Sequence, residues 1–383
     1  MTAPPENAAT ARPAGSKRKI RVLQVTPTFY PEVGGIETVI EELTAHLGHY
    51  DIESEIAHLS LANKTLQKEI HAGRCVWRVP LIGSRLIGLA PQLRKISEDF
   101  DLLHVHDPQL AAITASVMLF GRAKPAVLST HGGYYHTSQL GLAKAIHEKI
   151  LMRPALKRYG KVLASSAADY AWFKNYSTRV SLCSNGVNIE RFQLPSKTLL
   201  NANRWIYWGR LSRNKRLDRV IACVAQARKA GAAVDLCICG PDFDGLQQEL
   251  KRQIVDAGLT KCVELKPFLS IEALRDELAS RAVFITASEH EGFGLSIVEA
   301  MAAGCLIICR DMDPLNRFVR DGENGLFLDF DGGVQDEARL ARFLAMGEST
   351  VVDASKASEK RAASYSWQTA VVPFVDAYHQ ALD

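Results

Sequence analysis

The feature that most constrains this chain is a rhythm: short apolar runs of strand length alternate with stretches whose apolar residues fall three and four apart. The first run, IRVLQVT, gives way to a helix beginning near Gly35, which lines up Ile36, Val39, Ile40, Leu43 and Leu47 on one face. SEIAHLS, CVWRVPL, DLLHVH, AVLSTH, KVLASS and RVSLCS continue the pattern. After the turn-forming SNGVN the cycle restarts with RWIYWGR, VDLCICG, CVELKPF, AVFITAS, LIICR and GLFLD, with helical patterns between them. Strand and helix in this alternation predict an α/β fold of parallel sheets covered on both faces. The restart predicts two such doubly wound, Rossmann-like domains joined near Asn185–Phe192, facing a central cleft. A chain of 383 residues, 47% of them apolar, is long enough for two cores.

The expected divisions are an arm over 1–19, a first domain over 20–190, a second over 191–365 and an end helix over 366–383 that packs back on the first. The arm is rich in Ala and Pro and lacks the apolar core of a signal peptide, which predicts disorder. The longest nearly apolar run, Leu110–Gly121, is too short to cross a bilayer and predicts a buried helix. Eight scattered cysteines, two pairs of them inside strand-like runs, read as reduced core residues of a cytoplasmic protein. The chain holds 22 basic against 16 acidic residues up to Glu190, and 24 against 26 beyond it. The two halves therefore face different surroundings.

Four stretches carry chemistry. In EHEGFGLSIVEAMAAG a strand end meets a helix through Gly292-Phe293-Gly294, which lets backbone approach a ligand at the helix N-terminus. Glu291 lies in that loop and Glu299 in the second helical turn, about 7 to 8 Å along the axis from Gly294. Two carboxylates so spaced suit the hydroxyls at the two ends of an elongated ligand such as a nucleotide sugar; a helix cap and a solvated face are the plain alternative. In IYWGRLSRNKRLDRVI a strand ends at Gly209 and Arg210, Arg213, Lys215 and Arg216 follow, cations at a strand end that suit a diphosphate. Gly34-Gly35 precedes the first helix without forming a dinucleotide fingerprint. His131, followed by two glycines, ends a strand at the cleft. His104 and His106 alternate on a strand and lack the further ligands of a metal site.

These stretches, in this order from FYPEVGGIE through SNGVNIERF and GRLSRNK to EGFGLSIVEAMAAG and DGENGLF, resemble the retaining GT-B glycosyltransferases of family 4 over nearly the whole chain. Within them the chain is similar to bacterial exopolysaccharide mannosyltransferases of the acetan and xanthan type, which move mannose from GDP-mannose to a polyprenyl-diphosphate-linked cellobiosyl acceptor. The resemblance implies that Glu291 contacts the transferred sugar, Glu299 the ribose, and the backbone of Phe293–Leu295 the sugar or phosphate. It implies that Arg210 and Lys215 hold the diphosphate, that Gly34 and Gly35 border the reaction centre, and that His131 stands near C6 of the sugar. Ser166 matches a strand-end position on the same cleft, with a structural role equally open. Three departures from the family pattern are Ala287 before Ser288, Pro267 in LKPFLS, which removes an N–H from the expected base pocket, and CGPDFDG in place of a glycine-rich turn.

The expectation is catalysis without metal or other cofactor, by stabilising charge on the leaving diphosphate. Same-face substitution is expected, with a covalent intermediate on Glu291 as the alternative. Other nucleotide sugars (UDP-glucose or UDP-GlcNAc), an epimerase of the same fold and a non-catalytic sensor are the rival readings. Nucleic acid is not an expected partner, because the cations lack an aromatic platform. Between Gln139 and Lys161, Lys149, Arg153 and Lys157 recur every fourth residue beside Leu142, Ile146 and Ile150. That pattern predicts peripheral contact of the first domain with the anionic inner membrane; a solvated face over a core stripe is the alternative.

Overall fold

The computed structural model describes residues 18–32, 34–107, 110–121, 124–132, 147–194 and 201–383. Residues 1–17 of the arm expected over 1–19, the residues 133–146 and Val33 of the first glycine loop lie outside them. The first domain is built on β1 (Ile20–Thr26), β2 (Ile52–Ser60), β3 (Gln67–His71) and β4 (Arg74–Pro80), with a small hairpin of β5 (Ile82–Gly83) and β6 (Gly88–Leu89). It continues with β7 (Leu102–His106), β8 (Ala126–Ser129), β9 (Lys161–Ala164) and β10 (Val180–Leu182). Eight of these strands form one sheet in the order β10-β9-β8-β7-β1-β2-β4-β3, parallel except for β3 at its edge.

The second domain holds β11 (Arg204–Trp208), β12 (Asp235–Cys239), β13 (Val263–Lys266), β14 (Val283–Ile285), β15 (Leu306–Cys309) and β16 (Gly325–Phe327). Their order is β13-β12-β11-β14-β15-β16, all parallel. The strands read as continuous apolar runs because helices cover both faces: Trp205, Ile206, Cys237, Ile238, Phe284 and Ile307 are all fully buried. Seven of the eight cysteines are buried, serving as small core side chains.

The sheet order reverses between β1 and β7 in one domain and between β11 and β14 in the other. Loops leaving adjacent strands at such a point diverge to opposite faces, which opens a crevice at the carboxyl ends. The two crevices face each other. The chain crosses between the domains twice, side by side: Val187 pairs with Ser366 in a parallel bridge, and the Val187 N–H donates to the Tyr365 carbonyl at 2.8 Å. The final helix, Val372–Leu382, then lies against the first sheet, where Phe374 and Tyr378 share a core with Val22, Leu102, Val127 and Leu163.

Candidate active site between the domains

A cavity of about 450 Å³ opens between the two crevices. The first domain contributes Gly34, Gly35, Thr38, His131 and Gly132; the second contributes Arg210, Lys215, Glu291, Leu295, Ser296 and Glu299 among others.

Its basic side begins where β11 ends. The Tyr207 hydroxyl donates to the Arg210 carbonyl at 2.9 Å, and the exposed Arg210 guanidinium lies over the Phe243 ring, 4.8 Å from its centroid. A 3-10 turn over Arg213–Lys215 then carries Lys215 inward. Of the four cations in this loop only Arg210 and Lys215 line the cavity. Arg216 adopts φ +48° as the residue before the helix Leu217–Lys229, where its guanidinium pairs with Asp218 and Glu289. Arg213 turns toward Glu249, at 3.9 Å.

The tripeptide Glu289-His290-Glu291 is stitched onto that loop residue by residue. The Glu289 N–H donates to the Asn214 carbonyl at 2.9 Å, the Asn214 amide donates to the His290 carbonyl at 3.2 Å, and Lys215 Nζ meets Glu291 Oε1 at 2.6 Å. The last pair is largely enclosed, its side chains 15% and 11% exposed. At such burial a charge is tolerated because it is paired.

Gly294, at φ +93°, precedes the helix Leu295–Ala302 and provides no capping side chain, so the first N–H groups of that helix open on the cavity. The Phe293 ring points the other way, edge-on to Phe318 at 5.1 Å, which leaves its backbone at the cavity wall. Glu299 stands one turn further along, and its Oε2 accepts from Trp208 Nε1 at 3.2 Å. Burial raises its carboxyl to about 7, against the opposing pull of the Trp208 hydrogen bond and the Arg191 charge.

The domains touch through glycines. A Cβ at Gly132 would lie 2.2 Å from Gly292 Cα, and one at Gly292 would lie 2.3 Å from the His131 carbonyl oxygen. Side chains at both places are excluded by the approach of one loop to the other. Nearby, Asp313 Oδ2 accepts from the N–H groups of Ala167 and Ala168 at 3.1 and 3.3 Å, across the domain boundary. His131 is desolvated, which lowers its imidazole to about 4 and keeps it neutral at ordinary pH.

Of the residues singled out in the sequence, Gly34, Gly35, His131, Arg210, Lys215, Glu291–Leu295 and Glu299 come together at this one cavity. Ser166 does not. Its hydroxyl accepts from the Asp169 N–H at 3.0 Å as the cap of the helix Ala167–Lys174, and it is buried away from the cavity wall. A serine before a helix carries this capping signal in its sequence position. Sequence reasoning missed Asn185, Thr38, Phe268, Leu269 and Pro241 at the same wall; the last three fall in the two stretches that depart from the family pattern.

Two facing Rossmann-like domains with a cavity at both points of strand reversal are the GT-B architecture. Residues 33–191 match the family model Glycosyltransferase Family 4, and residues 190–361 match Glycosyl transferases group 1. The chain belongs to the glycosyltransferases that these two adjoining models describe. It is 28% identical over 377 residues to a GDP-mannose:cellobiosyl-diphosphopolyprenol alpha-mannosyltransferase of Xanthomonas campestris, covering 95% of this chain and 97% of that one. An enzyme of the same name from Komagataeibacter xylinus is 28% identical over 375 residues, with 95% and 94% covered. Among solved structures, sucrose-phosphate synthase from Thermosynechococcus elongatus superposes with a TM-score of 0.74 at 15% identity, over 94% of this chain and 99% of its own. Anabaena HepE in complex with UDP and glucose gives 0.72 at 18% identity, over 94% and 99%. These last two share the fold.

Proposed function

We propose that the protein transfers mannose from GDP-mannose, with retention and without a metal, to a cellobiosyl unit linked to polyprenyl diphosphate. The observation that carries this reading is the enclosed Lys215–Glu291 pair beside Arg210 at the meeting of both domains, joined to the likeness in full length to enzymes named for that reaction.

In this reading Arg210 and Lys215 take the diphosphate, the open N–H groups after Gly294 take its oxygens, Glu291 receives the sugar hydroxyls and Glu299 the ribose hydroxyls. His131, neutral, faces the sugar from the other domain, where Gly34 and Gly35 leave room for the acceptor. The bond between the anomeric carbon and the phosphate oxygen breaks with its electron pair passing to the diphosphate. The acceptor oxygen attacks the same face, and its proton goes to the departing phosphate oxygen. Growing charge on the diphosphate is what the two cations stabilise. The engagement of Glu291 Oε1 by Lys215 at 2.6 Å favours this over a covalent intermediate.

The acceptor lipid places the enzyme at a membrane surface. Among the described residues no helix is long and apolar enough to cross one; in this reading contact is peripheral and runs through the first domain. Of the expected stripe, Leu142 and Ile146 lie outside the described residues. The remainder winds as a π-helical turn over His147–Met152 and a short helix Arg153–Leu156. Lys149, Ile150 and Lys157 are exposed, whereas Arg153 stacks over Tyr176 and pairs with Glu148 at 3.2 Å. Ile82, Leu86 and Ile87 are also exposed, on the β5–β6 hairpin; exposed aliphatic side chains on a domain with an excess of cations suit an anionic bilayer.

Single-turnover transfer from radiolabelled GDP-mannose to membrane lipid extract in EDTA, with UDP-glucose and UDP-GlcNAc in parallel, tests the reading. Label in the lipid fraction from GDP-mannose alone supports it. Transfer from a UDP-sugar alone removes the donor assignment, and dependence on added metal removes the leaving-group mechanism.

A further inference from the structure

Behind the cavity wall lies a chain of buried polar groups that the proposed chemistry does not use. His131 Nε2 stands 2.9 Å from His106 Nδ1, and His106 Nε2 stands 2.8 Å from Gln24 Oε1. The Gln24 amide nitrogen donates to Ser54 Oγ at 2.9 Å and to the Tyr378 hydroxyl at 3.3 Å. That hydroxyl meets His104 Nδ1 at 2.7 Å, and His104 Nε2 meets Ser129 Oγ at 2.7 Å. Gln24, His104, His106 and Tyr378 are completely buried. They come from β1, β7 and the final helix, elements far apart in the chain.

A neutral imidazole has one donor and one acceptor nitrogen, so each bond in such a chain dictates the next. An amide oxygen only accepts; His106 Nε2 therefore carries a proton toward Gln24. His106 Nδ1 is then a lone pair, and the hydrogen at His131 must sit on Nε2, which leaves His131 Nδ1 as an acceptor. On the far side the Gln24 amide donates to Tyr378, whose own proton goes to His104 Nδ1, and His104 Nε2 donates to Ser129. Every contact in the chain then has one donor and one acceptor. Turning the Gln24 amide end for end would reverse the sense throughout, so one side chain sets the tautomer of a histidine two links away.

We propose that Gln24 and His106 are positioning residues that hold His131 as its Nε2–H tautomer, so that His131 meets the donor sugar as a hydrogen-bond acceptor. Tyr378 holds the Gln24 side chain in place, which gives the final helix a part in the site although it lies outside the cavity. The catalytic consequence rests on the reading above that His131 faces the sugar; the tautomer does not.

The test is nitrogen-15 NMR of the histidine side chains in the full chain, together with donor kinetics, for the wild type, Gln24→Leu and Gln24→Glu. The wild type is expected to show His131 protonated on Nε2. Leucine removes the acceptor, so a mixture of tautomers should appear and kcat should fall about tenfold or more while KM for the donor changes less than twofold. Glutamate in its neutral form keeps a C=O for His106 and an O–H for Tyr378, and should restore both signals. Protonation of His131 on Nδ1 in the wild type, or an unchanged tautomer and kcat in folded Gln24→Leu, would overturn the proposal. A His131→Ala variant with full kcat would instead overturn the placement of His131 at the sugar, and the NMR result distinguishes the two failures.

Discussion

At the scale of single residues, Lys215 and Glu291 act as one unit. Lys215→Ala should lower kcat about a hundredfold, or about 3 kcal/mol of transition-state stabilisation, as removal of an oxyanion donor does. Because the two side chains are bonded at 2.6 Å, the double variant Lys215→Ala/Glu291→Ala should lose much less than the sum of the single losses; additive losses in steady-state kinetics would show that the two work separately. Glu299 makes a different prediction. Burial raises its carboxyl to about 7, so between the ordinary carboxyl range and that value the empty protein holds a proton that the unfolded chain has released. Stability of the ligand-free protein should therefore fall as pH rises through this window. Ribose hydroxyls favour the carboxylate, so donor affinity measured by calorimetry should rise from pH 6 to pH 8. A Glu299→Gln variant with the same slope would contradict this.

At the scale of elements, the alternation of apolar runs made the parallel strands legible, because strands buried on both faces are apolar throughout. What it did not reveal is instructive. β3 reads QKEIH and buries no side chain completely, with Ile70 70% exposed, so nothing in its composition announces an edge strand. The loops after β11 and β14 were recognisable as ligand-facing, yet their pairing across 76 residues of sequence, Lys215 to Glu291, is a tertiary fact. So is the hydrogen bond from Trp208 to Glu299. Loop contact between the domains yields a further prediction. Gly292→Ala adds one methyl against the His131 carbonyl, 2.3 Å away, and should hold the cleft open. Small-angle scattering should then report a larger radius of gyration, with kcat/KM lowered at least tenfold and the melting temperature changed by only a few degrees. Unchanged dimensions and activity would mean that the two loops do not govern closure.

At the scale of the whole molecule, the two sheet reversals, the double crossing at Val187 and Ser366 and the final helix bring both halves to one cavity. The first domain carries the excess of basic residues, 22 against 16 acidic up to Glu190. Flotation with anionic vesicles should therefore be strong at low salt and fall as ionic strength rises; equal binding to neutral vesicles would assign the contact to the exposed aliphatic hairpin instead. The central assignment is the orientation of the donor along the cavity. A crystal structure of the Lys215→Ala or Glu291→Gln protein with GDP-mannose would measure it directly. The sugar hydroxyls are expected at residue 291, the diphosphate beside Arg210, and the ribose hydroxyls within hydrogen-bond distance of Glu299. A donor bound with its ribose at residue 291 and its sugar at Glu299, or bound outside the cavity, would contradict the assignment.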